Sequence, residues 1–98
     1  MNQTVLSARI AEAAALRYTP AGLPAIDLKL EHESEVAEAA SRRQVRLEIR
    51  AVAFGAEAET LARQAIGSGF RFTGFLAAPR HGKHPVLHIQ SFQQESLS

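Results

Sequence analysis

Apolar and polar residues alternate strictly in several short runs of this chain, and a run with that period buries one side only as a strand. Ile26, Leu28 and Leu30 alternate with Asp27, Lys29 and Glu31. Val45, Leu47, Ile49 and Ala51 alternate with Gln44, Arg46, Glu48 and Arg50, which predicts an apolar inner face and a charged outer one. Thr4 to Ile10 sets Leu6, Ala8 and Ile10 against Val5, Ser7 and Arg9. Phe70 to Leu76 puts Phe70 and Phe72 on one face and Arg71, Thr73 and Phe75 on the other, with Gly74 marking a bulge or bend. Val86 to Phe92 reads as the last strand.

Between these runs the punctuation changes. The stretch Ala11 to Leu16 carries helical propensity that competes with the first strand. Thr19 to Pro24 is a turn, because Pro20 fixes φ, Gly22 permits a left-handed residue and Pro24 cannot donate to a ladder. Residues 32–42 carry Glu33, Glu35 and Glu38 among small residues and too few apolar positions to bury a helix face, so they read as a flexible loop. Ala58, Leu61, Ala62, Ala65 and Ile66 fall on one helical face, which predicts a helix of about three turns after Gly55, ending at Gly67. Glu57 and Glu59 suit its first turn. Ala78 to Pro85 is a loop, and the tail from about residue 94 to residue 98 is expected to fray.

Five strands with one short helix between the third and fourth is the element order of an OB-fold, a partly open all-β Greek-key barrel. An α+β sandwich of the same order is the alternative. The length of 98 residues suits one such domain, spanning 1–98.

Composition removes whole classes of function. There is no cysteine, which rules out disulfides, thiolate metal sites and a cysteine nucleophile. No apolar run approaches the ~18–20 residues of a membrane span. Arg9 and Glu12 interrupt the N-terminal stretch, which lacks the charged and apolar regions of a secretion signal, so the expected location is the cytoplasm. Ser7, His32 and Asp27 can be recited as a triad, but no nucleophile elbow or phosphate-cradling loop accompanies them, and no enzyme is predicted. His81, His84 and His88 lack a Cys or nearby acid to complete a metal set and read as surface histidines.

The charge distribution says more than the net +1. Residues 1–40 hold three basic and six acidic side chains, and residues 41–98 hold eight basic and four acidic. Arg42, Arg43, Arg46 and Arg50 straddle the start and outer face of the third strand, Arg17 precedes the first turn, and Arg80 and Lys83 flank Gly82 in the last loop. In a five-stranded OB barrel the faces of strands two and three and the loops 1–2 and 4–5 bind oligonucleotides. Guanidinium and ammonium groups there neutralise phosphates and release counterions. Solvated charges on an outer face are the alternative. Aromatic stacking platforms are sparse: Phe75 and Tyr18 are the candidates.

VLSARI (Val5 to Ile10), RYTPAGLP (Arg17 to Pro24), LEHES (Leu30 to Ser34), GFL (Gly74 to Leu76) and VLHIQ (Val86 to Gln90) stand in the order of one family. Over nearly its whole length the chain resembles the primosomal replication protein N family, called PriB. That resemblance implies an OB-fold homodimer that binds single-stranded DNA without marked sequence preference. It implies partnership with the PriA helicase and DnaT in replication restart, with no cofactor or metal. Arg17 and Arg43 match basic positions of the family pattern, and Arg80 and Lys83 match its basic loop, here shorter. Arg46 stands where that pattern has a stacking tryptophan, Ser41 where it has an aromatic, and Glu33 where it has a base. The predicted nucleic-acid site is therefore Arg17, Arg43, Arg46, Arg50, Arg80 and Lys83, led by charge. A protein-interaction dimer of the primosome with weak DNA binding is the alternative.

Overall fold

The computed structural model describes residues 1–97. Along the chain come β1 (Thr4–Ala13), β2 (Arg17–Tyr18), β3 (Pro24–Glu38), β4 (Ser41–Phe54), α1 (Ala56–Ala62), β5 (Gly69–Ala77) and β6 (Val86–Gln94). The strands hydrogen-bond in the order β1-β5-β6-β4-β3-β2, and β1 also pairs with β3, so the sheet closes into a ring. The two residues of β2 only extend the edge of β3. The other five strands are those expected, with the helix between the third and fourth of them, and the architecture is the OB-fold barrel.

Closure depends on β1 serving two partners. Thr4 to Arg9 pairs with β5, and Arg9 to Ala13 pairs with β3, with a register shift between Ile10 and Glu12. The bulge bends the strand so that it leaves one neighbour for the other. Ala13 opposite Leu28 is thus inside the ladder, and the Ala14 amide donates to the Asp27 carbonyl. Helical propensity in that stretch loses to pairing, and the start of the alanine run lies within the sheet rather than on a free edge.

The inner positions of the alternating runs meet in one core. Phe72, Ile10, Ile26, Leu30, Leu61 and Leu87 are its largest fully buried side chains. Phe70 packs edge-on against Phe92 with ring centroids 5.5 Å apart. Ala58 and Leu61 of α1 close one end of the barrel. The helix is shorter than its sequence predicts. After Leu61 the chain leaves through tighter bonds, Arg63 N–H to Thr60 and Gln64 N–H to Leu61, and Ile66 is exposed. Gly67, at φ 93°, then donates to the Ile10 carbonyl and delivers the chain to β5.

Residues 32–42 differ most from expectation. They form the distal part of a β-hairpin, with β3 and β4 paired in unbroken register from Ala25 opposite Phe54 to Glu38 opposite Ser41. This arm gives the molecule its long axis, 51 × 28 × 21 Å overall. Ala39 and Ala40 make the turn with φ of 48° and 65°. Two positive φ angles are the mark of a type I′ hairpin, normally signalled by Asn and Gly. Two alanines hide it. The C-terminal segment is also held more firmly than expected. Glu95 donates its amide to Gly69 (3.0 Å) and accepts from Ser7 Oγ (2.8 Å), and Arg9 donates to the Leu97 carbonyl. Of the predicted fraying tail, Ser98 lies outside the described residues.

Candidate nucleic-acid interface

Strand register sorts the candidate residues by face. On β3 and β4 the inner pairs are Ile26–Ala53, Leu28–Ala51 and Leu30–Ile49, continuing along the arm as His32–Leu47, Ser34–Val45 and Val36–Arg43. The outer pairs are Asp27–Val52, Lys29–Arg50, Glu31–Glu48, Glu33–Arg46, Glu35–Gln44 and Ala37–Arg42. Arg46 and Arg50 therefore share the outer face, as the sequence predicts. Arg43 does not join them. It lies on the opposite side of the arm and pairs with Glu38 at 3.3 Å.

The outer face also continues around the barrel. Val52 stands beside His88 in the parallel β4–β6 ladder, and His88 opposes Phe75 in the β5–β6 ladder. Asp27, opposite Val52, holds Arg17. One transverse row thus runs Arg17, Asp27, Val52, His88, Phe75 across five strands, about 19 Å at the usual ~4.8 Å strand spacing. Phe75 stacks on His88 with centroids 4.8 Å apart and planes 14° apart. Phe54, exposed and on the same face, lies 6.2 Å from His88 on its other side. Three rings make a strip where sequence reading finds only Phe75. The missed signal was the even-numbered face Arg50, Val52, Phe54, which the outer-face alternation of Gln44 to Arg50 continues up to Gly55. His88 is a strand residue in a ring stack, unlike His81 and His84, which are exposed in the loop.

Gly74 permits this arrangement. The β5–β6 register slips between Thr73 and Gly74, and an added Cβ there would overlap the His88 carbonyl. The slip sets Phe75 opposite His88 on the outer face, while Phe72 stays in the core.

Alongside the row, the loop between β5 and β6 folds against β4. Arg50, His81, Lys83 and His84 border a groove of about 530 Å³ whose floor includes Leu47 and Ile49. Arg80 is exposed in the same loop.

Ion pairing divides the predicted cations in two. Arg17 makes a forked contact with Asp27, at 2.7 and 3.2 Å, and the hydrogen bond and charge of Asp27 raise its pKa. Arg46 lies 3.2 Å from Glu33, and Arg42 lies 2.7 Å from Glu35. Lys29 sits 3.3 Å from both Glu48 and Glu12, whose hydrogen bonds and charges raise its pKa. Among the described residues, Arg50, Arg80 and Lys83 form no salt bridge. The recited triad dissolves: Ser7 Oγ bonds Glu95, His32 donates to the Ser7 carbonyl at 2.6 Å, and Asp27 is held by Arg17. No group of metal-ligating side chains gathers among the described residues.

A family described as "Another single-strand binding protein family" matches residues 2–91. The replication restart protein PriB of Bordetella pertussis is 50% identical over 91 residues, covering 92% of this chain and 85% of that protein. The chain belongs to the PriB family. The three-dimensional structure of PriB from Ralstonia solanacearum superposes with a TM-score of 0.89 at 35% identity, covering 98% of this chain and 99% of that one. The fold is shared more widely. The single-stranded DNA binding protein of Thermus aquaticus superposes with a TM-score of 0.77 at 22% identity, covering 98% of this chain and 50% of that one. Within the PriB fold seen here, no helix of the described residues is long and apolar enough to cross a membrane.

Proposed function

We propose that this chain is a non-catalytic single-stranded-DNA-binding adaptor of replication restart. It works in the cytoplasm as a homodimer, joins the PriA helicase at stalled forks, and promotes primosome assembly with DnaT. It needs no cofactor or metal. Membership of the PriB family supports the setting. The observation that carries DNA binding is the outer-face row, in which the strip Phe54–His88–Phe75 lies near a groove bordered by Arg50 and Lys83, cations with no salt bridge among the described residues, with Arg80 exposed in the same loop. Rings stack bases of any sequence, and the cations neutralise phosphates. Arg17 marks the far end of the row, and Arg46 extends it up the arm. A second copy finds an open edge on β1 from Thr4 to Leu6, which pairs with β5 on one side only and exposes Val5.

Fluorescence anisotropy with a labelled oligo-dT, run across a salt series, tests this reading. Phe75→Ala is expected to lose about 1–3 kcal/mol of binding free energy. Lys83→Ala is expected to flatten the salt slope by about 0.7. Unchanged binding in both variants refutes the site.

The internal pairing of Arg17, Arg43 and Arg46 favours a second reading, a primosomal interaction dimer with weak DNA affinity. A pull-down with the helicase, with and without DNA, separates the two. Helicase capture that is independent of DNA and unaffected by Lys83→Ala supports the second.

A further inference from the structure

The outer face of the arm is an acidic strand laid against a basic one. On β3, Glu31, Glu33 and Glu35 occupy successive outer positions, facing Glu48, Arg46 and Gln44 on β4. Glu33 is the most heavily engaged. Its Oε1 accepts from Gln44 Nε2 at 2.8 Å and lies 3.2 Å from the Arg46 guanidinium. Arg46 also borders a recess lined by Glu31, Glu33 and Glu48, where Arg9 is the only other cation. The carboxylate therefore occupies the place on Arg46 that a phosphate oxygen would take. Both partners are more than half exposed (73% for Arg46, 51% for Glu33), so the contact can open.

We infer that Glu33 is a built-in competitor for DNA phosphate, which holds Arg46 in an ion pair and thereby sets the affinity of this face for single-stranded nucleic acid. The inference rests on the single-strand-binding reading above. A phosphate that engages Arg46 must displace Glu33, and then lies near a carboxylate that has lost its partner. Both effects weaken binding. An arginine already neutralised within the protein also releases less than a full counterion on binding DNA, so the salt slope is shallower than the count of cations suggests.

The test is an oligo-dT anisotropy titration of the full chain across a salt series. Glu33→Gln keeps the size and an oxygen for Gln44 while removing the charge. It is expected to bind about 3- to 5-fold more tightly, the scale set by an exposed ion pair. Its salt slope is expected to steepen by up to about 0.7, the limit set by one further phosphate neutralised on a single strand. Glu59→Gln, on the exposed side of α1, makes the same change in net charge and is expected to leave both quantities near wild type. In an Arg46→Gln background the gain from Glu33→Gln is expected to shrink. An equal gain from Glu59→Gln, or an undiminished gain without Arg46, overturns the inference. A wild type that binds while Glu33→Gln matches it overturns the inference alone. Absence of binding in every variant overturns the single-strand-binding reading beneath it.

Discussion

Replacing Gly74 by alanine probes the point where fold and candidate site depend on one another. The added Cβ would overlap the His88 carbonyl oxygen and lie 2.9 Å from its carbonyl carbon and 3.2 Å from the Ile89 Cα. Carbon atoms in good contact sit about 3.5–4.0 Å apart, and the overlapped oxygen is nearer still, so the His88 carbonyl must retreat by more than ~1 Å. It cannot do so freely, because Leu87 and Ile89 on either side are buried in the core and Val52 and Phe75 flank His88 in the ladders. Overpacking of this kind costs about 1–3 kcal/mol, and a broken ladder hydrogen bond adds about 1 kcal/mol. A total near 3 kcal/mol lowers the melting temperature of a domain this size by roughly 12–24 °C. Gly69→Ala is the comparison. Its Cβ would meet the Glu95 carbonyl and Leu97 at 2.8 Å, a milder overlap with a terminal segment held by a few hydrogen bonds rather than by a core strand, so about 1 kcal/mol is expected. Thermal melts followed by circular dichroism measure both. A Gly74→Ala melt within about 4 °C of wild type, a shift worth no more than ~1 kcal/mol, or a larger loss in Gly69→Ala, refutes the close-approach argument.

Further outcomes follow from the same geometry. Leu61→Ala removes the fully buried side chain by which α1 closes the barrel and is expected to cost about 2–5 kcal/mol in urea unfolding. The double change Ala39→Asn with Ala40→Gly relieves two alanines at positive φ, each strained by about 1 kcal/mol. Amide hydrogen exchange in the arm is expected to slow by roughly thirtyfold, the factor that ~2 kcal/mol of relieved strain gives, with little change at Phe72. Arg43→Ala, on the opposite side of the arm from the row, is expected to leave the oligo-dT salt slope unchanged, whereas Arg50→Ala flattens it by about 0.7. An equal effect from the two would mean that DNA does not distinguish the faces of the arm.

Internal pairing separates a basic sequence from a basic surface. Arg42, Arg43 and Arg46 lie close together in the chain, yet each faces a glutamate of β3. Exposed pairs of this kind contribute about 0–1 kcal/mol each to stability. Their larger consequence is for potential, since a neutralised guanidinium attracts phosphate less than a free one. Of the cations predicted for the site, those without a salt bridge among the described residues are Arg50, Arg80 and Lys83, in or beside the β5–β6 loop.

Alternation alone determined which side chains enter the barrel. Ile26, Leu28 and Leu30, with Ala51 and Phe72, are buried as their period requires, because a strand has only two faces and water selects between them. Helical spacing located α1, and Gly74 marked the irregularity in the β5–β6 ladder, where β6 carries the extra residue. The arm was not legible. Across residues 32–38 only Val36 and Ala37 interrupt polar side chains, so no hydrophobic period survives on the β3 side, and the turn uses alanines in place of Asn-Gly. Pairing with the arginines of β4 makes residues 32–38 a strand, and no local signal contains that pairing. The site divides the same way. The outer positions of Arg46 and Arg50 follow from the period of β4. The assignment of Arg43 to the other side, the capture of Arg46 by Glu33 and the stacking of Phe54, His88 and Phe75 were decided by register between strands distant in the chain, which only the closed sheet specifies.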